Sequence, residues 1–145
     1  MFSQTAEYAL RAVVSLADSG DEPLTTHQIA EITQAPLDYL SKVMQSLGRA
    51  GLVESQRGKN GGFRLARPAN RLTILNVLNA VDPLPRIHSC PLHLKGHGRQ
   101  LCPLHRRLDE AFSSVEKAFA ETVISDLLKP NTDIRPLCAI ARAND

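Results

Sequence analysis

The sequence predicts a mainly α-helical chain with one small β-hairpin. Three observations carry that reading. Apolar residues recur at three- and four-residue intervals along most of the chain. Aromatic residues are 4% of the 145 and Trp is absent, so the core must be built from Leu, Ile, Val and Ala, which suits helices. Only the stretch from Leu52 to Leu65 shows the alternation and glycine-rich turn of a hairpin.

Residues 3–19 read as the first helix, with Ala6, Ala9, Leu10, Val13, Leu16 and Ala17 at helical spacing. Gly20-Asp21-Glu22-Pro23 stops it. Thr25 or Thr26 caps a short second helix containing Ile29, Ala30 and Ile32. Gln34-Ala35-Pro36 is a turn, with Pro36 placed near the start of a third helix. That helix runs to about Ala50 with Leu40, Val43, Met44 and Leu47 inward, and Gly51 ends it. Leu52 to Gln56 is a strand, Arg57-Gly58-Lys59-Asn60-Gly61-Gly62 a loop, and Phe63-Arg64-Leu65 the return strand. Thr73 caps a fourth helix with Ile74, Val77, Leu78 and Val81, which ends at Asp82-Pro83. Residues 83–103 hold four prolines and two glycines and read as a loop. Leu104, Leu108, Phe112, Val115, Phe119, Val123 and Leu127 form one stripe along a long last helix, residues 104–128. Residues 129–145 are a tail.

A composition of 43% hydrophobic and 22% charged residues is that of a globular chain and excludes a disordered one. No apolar run approaches the roughly 18 residues a membrane span needs. The N-terminal MFSQTAEYALR meets Glu7 early and has no basic lead-in, so no signal peptide is expected and the expected location is cytoplasmic. The net charge of +2 is a cancellation: residues 1–41 carry −5 and residues 42–71 carry +6. Histidine is uneven as well, with His88, His93, His97 and His105 close to Cys90 and Cys102.

Two helices joined by a tight turn, followed by a two-stranded hairpin with a basic tip, make a winged helix-turn-helix over residues 1–82. The third helix offers Asp38, Tyr39, Ser41, Lys42, Gln45 and Ser46 on the face its core does not use. A helix fits the DNA major groove, where such side chains reach base edges. Arg57, Lys59 and Arg64 in the hairpin suit phosphates or the minor groove. The candidate DNA-binding residues are therefore Ser41, Lys42, Gln45, Arg57, Lys59 and Arg64, and the expected partner is double-stranded DNA. A rival reading makes the hairpin a solvated turn or a contact for a partner protein, that is, a protein-interaction module. RGKNGG lacks the G-x-x-x-x-G-K-[ST] spacing and the following helix of a phosphate loop. No nucleophile, base and acid constellation is present, and no enzyme is expected.

Cys-Pro-Leu-His occurs twice, at 90–93 and 102–105. Two thiolates and two imidazoles suit a tetrahedral zinc ion, and a two-iron two-sulfur cluster also needs four ligands. Thiol sensing without a metal, and a loop without sensing chemistry, are the plainer readings. Cys138 falls in the tail.

The segments EYALRAVVSLA, IAEITQAPLDYLSKVMQSLGRAGLVES, RGKNGGFRLARP and TILNVLNAVD resemble the bacterial Rrf-type transcriptional regulators, the family of IscR, NsrR and CymR. The resemblance covers about residues 1–128 and implies a homodimer on a near-palindromic operator, most often as a repressor. It places Ser41, Lys42 and Arg57 where members contact bases, although one branch has glutamate where this chain has Ser41. It also implies an iron–sulfur cluster, with a signal in redox, nitric oxide or iron–sulfur status. Sensor members hold the cluster with three cysteines, the outer two spaced as Cys90 and Cys102 are. His105 matches a histidine ligand of the IscR branch, and the middle cysteine is replaced at Gly96. The implied ligands are Cys90, Cys102 and His105, with His93, His97 or Glu7 as the fourth. Zinc-bound and metal-free regulators of the same family are the alternatives.

A 25-residue helix would span about 37 Å, longer than a compact N-terminal domain needs. Its apolar stripe is expected to pair with a second copy, making it a dimerisation helix, while the loop 83–103 acts as the sensor.

Overall fold

The computed structural model describes residues 2–97 and 100–129. Five helices and one two-stranded antiparallel sheet follow in order: α1 (Gln4–Asp18), α2 (Thr26–Thr33), α3 (Leu37–Arg49), β1 (Val53–Gln56), β2 (Gly62–Leu65), α4 (Ile74–Val81) and α5 (Pro103–Ala120). Short 3₁₀ turns lie at Ala69–Arg71, Lys95–His97 and Ile124–Leu128. The mainly helical architecture with a β-wing is the one expected.

Local chemistry sets the helix starts. The Ser3 hydroxyl accepts the Ala6 amide and caps α1. Thr25 and Gln28 form a reciprocal capping box at α2, and Thr73 and Asn76 form another at α4. Gln34 ends α2 in a left-handed conformation at φ 56°, and Pro36 opens α3. Gly51, at φ 73°, turns the chain out of α3 into the wing.

Helix α1 is the centre of the domain and packs on α2, α3, α4 and β2. Its inner face is Ala6, Ala9, Ala12, Val13 and Leu16, small enough at three positions for neighbouring helices to approach closely. Against it lie Ile29, Leu40, Met44, Leu47, Leu72, Val77 and Leu78, all essentially inaccessible to solvent. The wing is anchored in the same core: Val53 is buried, and Phe63 and Leu65 pack on it. Leu24 adds an unexpected third position to the sheet. It exchanges backbone hydrogen bonds with Phe63, at 2.9 and 2.7 Å, and so ties the wing to the chain entering α2.

The last helix is shorter than the stripe predicts. It ends at Ala120 and not near residue 128. Thr122, Val123 and Ile124 are three successive β-branched residues, which helices disfavour and extended chain accepts. Val123 forms a β-bridge with Thr73, Ile74 N–H donates to Thr122 O, and Ile124 N–H donates to Leu72 O. Ile124 is thereby placed fully inside the winged domain. Phe119 also packs there, its ring centroid 5.7 Å from that of Phe2. The C-terminal part of the predicted stripe thus covers its own domain, and the N-terminal part does not.

Candidate nucleic-acid interface and the Cys/His loop

Helix α3 buries Leu40, Val43, Met44 and Leu47, so its opposite face turns to solvent. Lys42 and Gln45 are exposed on that face. Ser41 is half-buried and its hydroxyl donates to Leu37 O at 3.0 Å, leaving the oxygen lone pairs as acceptors. Tyr39 is exposed as expected, and it also reaches back to α1. Its hydroxyl hydrogen-bonds Thr5 Oγ1, and its ring meets Tyr8 edge-on at 5.5 Å. The Arg11 guanidinium lies 5.7 Å from the Tyr8 ring centroid, donates to Thr33 O at 3.0 Å and pairs with Glu7. Tyr39 and Arg11 therefore fix the start of α3 and the end of α2 onto α1. This fixes the angle at which α3 is presented.

The wing ladder pairs Val53 with Leu65, Glu54 with Arg64, Ser55 with Phe63 and Gln56 with Gly62. Arg57 and Lys59 are exposed at its tip and form no ion pair with another described residue. Arg64 differs from them, because its Nε donates to Glu54 Oε1 at 2.6 Å.

In the loop, Cys90 is buried, at 5% exposure, and begins a tight turn in which His93 N–H donates to Cys90 O. His93 closes that turn in the left-handed region, at φ 53°. Cys102 caps the N-terminus of α5, and Pro103 follows at its first position. One turn on, His105 Nδ1 stands 3.2 Å from Cys102 Sγ. Of the expected ligands the structure brings these two together. Among the described residues no group of three His, Cys, Asp or Glu converges as a metal site. Glu7 is engaged with Arg11, and Cys138 lies outside the described residues.

Sequence reasoning missed the bracket around this loop. Arg86 donates to both carboxylate oxygens of Asp109 on α5 and reaches Glu116. The Ile87 amide also donates to Asp109. These contacts hold the Asp109 carboxyl well below the usual carboxylate range, the Arg86 hydrogen bond first among the causes. No local pattern marks the pair, since its members are far apart in sequence.

A family model described as "Rrf2: Iron-dependent Transcriptional regulator" matches residues 2–130. An Aquifex aeolicus (strain VF5) protein named "Putative HTH-type transcriptional regulator" is 30% identical over 145 residues, covering 98% of this chain and 99% of that one. The fold is shared with T. potens IscR, at TM-score 0.76 and 22% identity over 92% of this chain and 89% of that one. It is shared also with CymR, the global cysteine regulator of B. subtilis, at TM-score 0.73 and 24% identity, covering 88% and 95%. Staphylococcus aureus CymR superposes at TM-score 0.70 with 25% identity, covering 91% and 100%.

Proposed function

The chain belongs to the Rrf2 family of transcriptional regulators, and from that membership we propose that it represses transcription as a homodimer on a palindromic operator. It is thus a DNA-binding regulator and not an enzyme. No helix among the described residues is long and apolar enough to cross a membrane.

The observation that carries the DNA reading is the exposed pairing of α3 with the wing tip. Lys42, Gln45 and Ser41 meet base edges or phosphates from the major groove, and Arg57 and Lys59 meet the flanking backbone or minor groove. Arg64, the remaining candidate from sequence, is paired with Glu54. In a twofold dimer the two α3 helices stand roughly 34 Å apart, one DNA turn. The half-exposed stripe at the start of α5 is the surface that would close the dimer.

The Cys/His loop is proposed as the sensor. The 3.2 Å between Cys102 Sγ and His105 Nδ1 suits two donors on one thiophilic metal, where such atoms stand about 3.5 Å apart. The pair fits as half of a ligand set. Cys90 and one of His93, His97 or Glu7 would complete it. A bound iron–sulfur cluster would supply a redox- and nitric-oxide-sensitive group at this point. The residues of the chain do the rest. Cys102 is the residue just before α5 and His105 is on its first turn, and Arg86 clamps the other end of the loop to the same helix. A change at the ligands therefore acts on α5 directly, and through α5 on the spacing of the two wings. Zinc is the second reading, favoured by the paired sulfur and nitrogen donors and by Gly96 where sensors have a third cysteine.

Anaerobic purification with an absorption spectrum and metal analysis tests the sensor. Visible absorption lost in Cys102→Ser supports the cluster. A colourless protein with stoichiometric zinc overturns it. DNA binding is tested separately by salt titration of Lys42→Ala and Arg57→Ala. Binding unchanged by both substitutions overturns the proposed interface.

A further inference from the structure

The basic segment 42–71 holds seven Lys and Arg and a single acid, Glu54. Glu54 stands directly opposite Arg64 in the wing ladder, with Arg64 Nε 2.6 Å from Glu54 Oε1. Opposed residues of an antiparallel pair share a face. The ion pair is therefore on the outer face of the wing, away from buried Val53 and from Phe63 and Leu65, which pack on the core. Both side chains are about half exposed, at 51% and 49%. Arg64 is at the base of the hairpin, where it lines a groove with Ala17, Gly20 and Asp21 at the end of α1. Arg57 and Lys59 occupy the tip.

We propose that Glu54 tunes the sequence-independent affinity for DNA: it holds Arg64 within the wing and off the phosphate backbone. This rests on the reading that the wing meets DNA. Each cation that neutralises a phosphate adds roughly 0.9 to the salt dependence of binding, whatever the base sequence. A guanidinium already paired with a carboxylate adds less, and the carboxylate itself repels nearby phosphate. Phosphate contacts strengthen binding to every duplex, whereas base contacts strengthen it only at the operator. Withholding one cation therefore weakens binding to background DNA and operator alike and leaves discrimination to the base contacts. Stability is a weak reason for an acid here, since exposed ion pairs add little of it.

The test compares the full-length wild type with Glu54→Gln, Arg64→Ala, the double variant and Arg57→Ala. Fluorescence anisotropy follows binding across a salt series, on a mixed-sequence duplex and on a duplex enriched from a random pool by the wild type. Glu54→Gln is expected to steepen the log–log salt slope by about 0.9 and to tighten mixed-sequence binding several-fold. Its preference for the enriched duplex, a ratio of the two affinities, is expected to stay near wild type. Arg64→Ala, which leaves Glu54 unpaired, is expected not to exceed the wild-type slope, and the double variant to return to it. A double-variant slope reduced by about 0.9 below wild type would show Arg64 already on a phosphate and overturn the proposal. So would a Glu54→Gln protein indistinguishable from wild type while Arg57→Ala loses slope, which overturns the role of Glu54 alone. A wild type without salt-dependent binding overturns the wing as a DNA contact, and the proposal with it.

Discussion

Arg86 grips Asp109 with two parallel hydrogen bonds, Nε to Oδ1 at 2.8 Å and Nη2 to Oδ2 at 3.0 Å. The geometry is the bidentate fork that suits guanidinium to carboxylate. The Ile87 amide adds a third bond to Oδ1 at 2.8 Å. Because the charged carboxylate is favoured in the folded protein, its pKa lies well below the ordinary 3.8. The contribution to stability is then complete above that ordinary value and is lost as pH falls below it. Asp109→Asn is expected to lower the melting temperature at pH 7. The gap to wild type should narrow below about pH 4, where the wild-type carboxylate begins to lose its advantage in folding. Thermal melts from pH 7 to pH 3 read this directly. A gap that stays constant with pH would mean that Asp109 acts by shape and not by charge.

Ile124 tests where α5 ends. The residue is wholly buried and its amide donates to Leu72 O at 2.8 Å. Ile124→Ala should cost about 2–5 kcal/mol, and Ile124→Val about 0.5–1.5 kcal/mol, as for a core site. Urea unfolding measures both. Were the helix continuous to residue 128, Ile124 would lie off the apolar stripe and Ile124→Ala would change little.

Gly62 holds the wing against the chain before α2. Its φ is 149°, in the region that favours glycine, and a Cβ there would come within 2.6 Å of the Leu24 carbonyl carbon and oxygen. Neither group is a flexible side-chain end. Gly62→Ala is expected to displace the wing while leaving the α1–α4 core folded. Helical circular dichroism should stay near wild type, and the DNA salt slope should fall. Unchanged DNA binding would argue that the Leu24 bridge does not position the wing.

The helix starts of this protein are legible because each uses local chemistry: Ser3, the Thr25–Gln28 and Thr73–Asn76 boxes, and Pro36. The wing is legible for the same reason, through alternation around a glycine-rich loop. What escapes the sequence is contact between distant segments. Leu24 gives no sign that it will pair with Phe63, and Arg86 gives none that it will meet Asp109. Tyr39 reads as an outward residue of α3 and is exposed, but nothing in the sequence announces its contacts with Thr5 and Tyr8 on α1. Periodicity also extends α5 too far, because Val123 and Leu127 keep the helical interval after the backbone has changed conformation. The β-branched run 122–124 is the local signal against that extension. At the candidate sensor, Cys102 and His105 meet because they are three apart across the start of one helix, the N-cap and the first turn, a spacing that brings side chains together. No such rule relates Cys90 to them.

The start of α5 makes the last prediction. None of its eighteen residues is buried, although Leu104, Leu108, Phe112 and Val115 form a stripe. Leu104 is 63% exposed and Leu108 is 44% exposed, one turn apart. A helix with that pattern hides its stripe against something, and Phe119 and Ile124 show that its own domain covers only the far end. If a second copy covers the rest, Leu108→Asp places an unpaired charge in the interface. It should weaken dimerisation at least about tenfold, equivalent to about 1.4 kcal/mol. Sedimentation equilibrium measures that change, and the melting temperature of the winged domain should barely move. Operator binding should weaken as well, because two half-sites no longer act together. An unchanged dimer in Leu108→Asp would move the interface away from this face of α5.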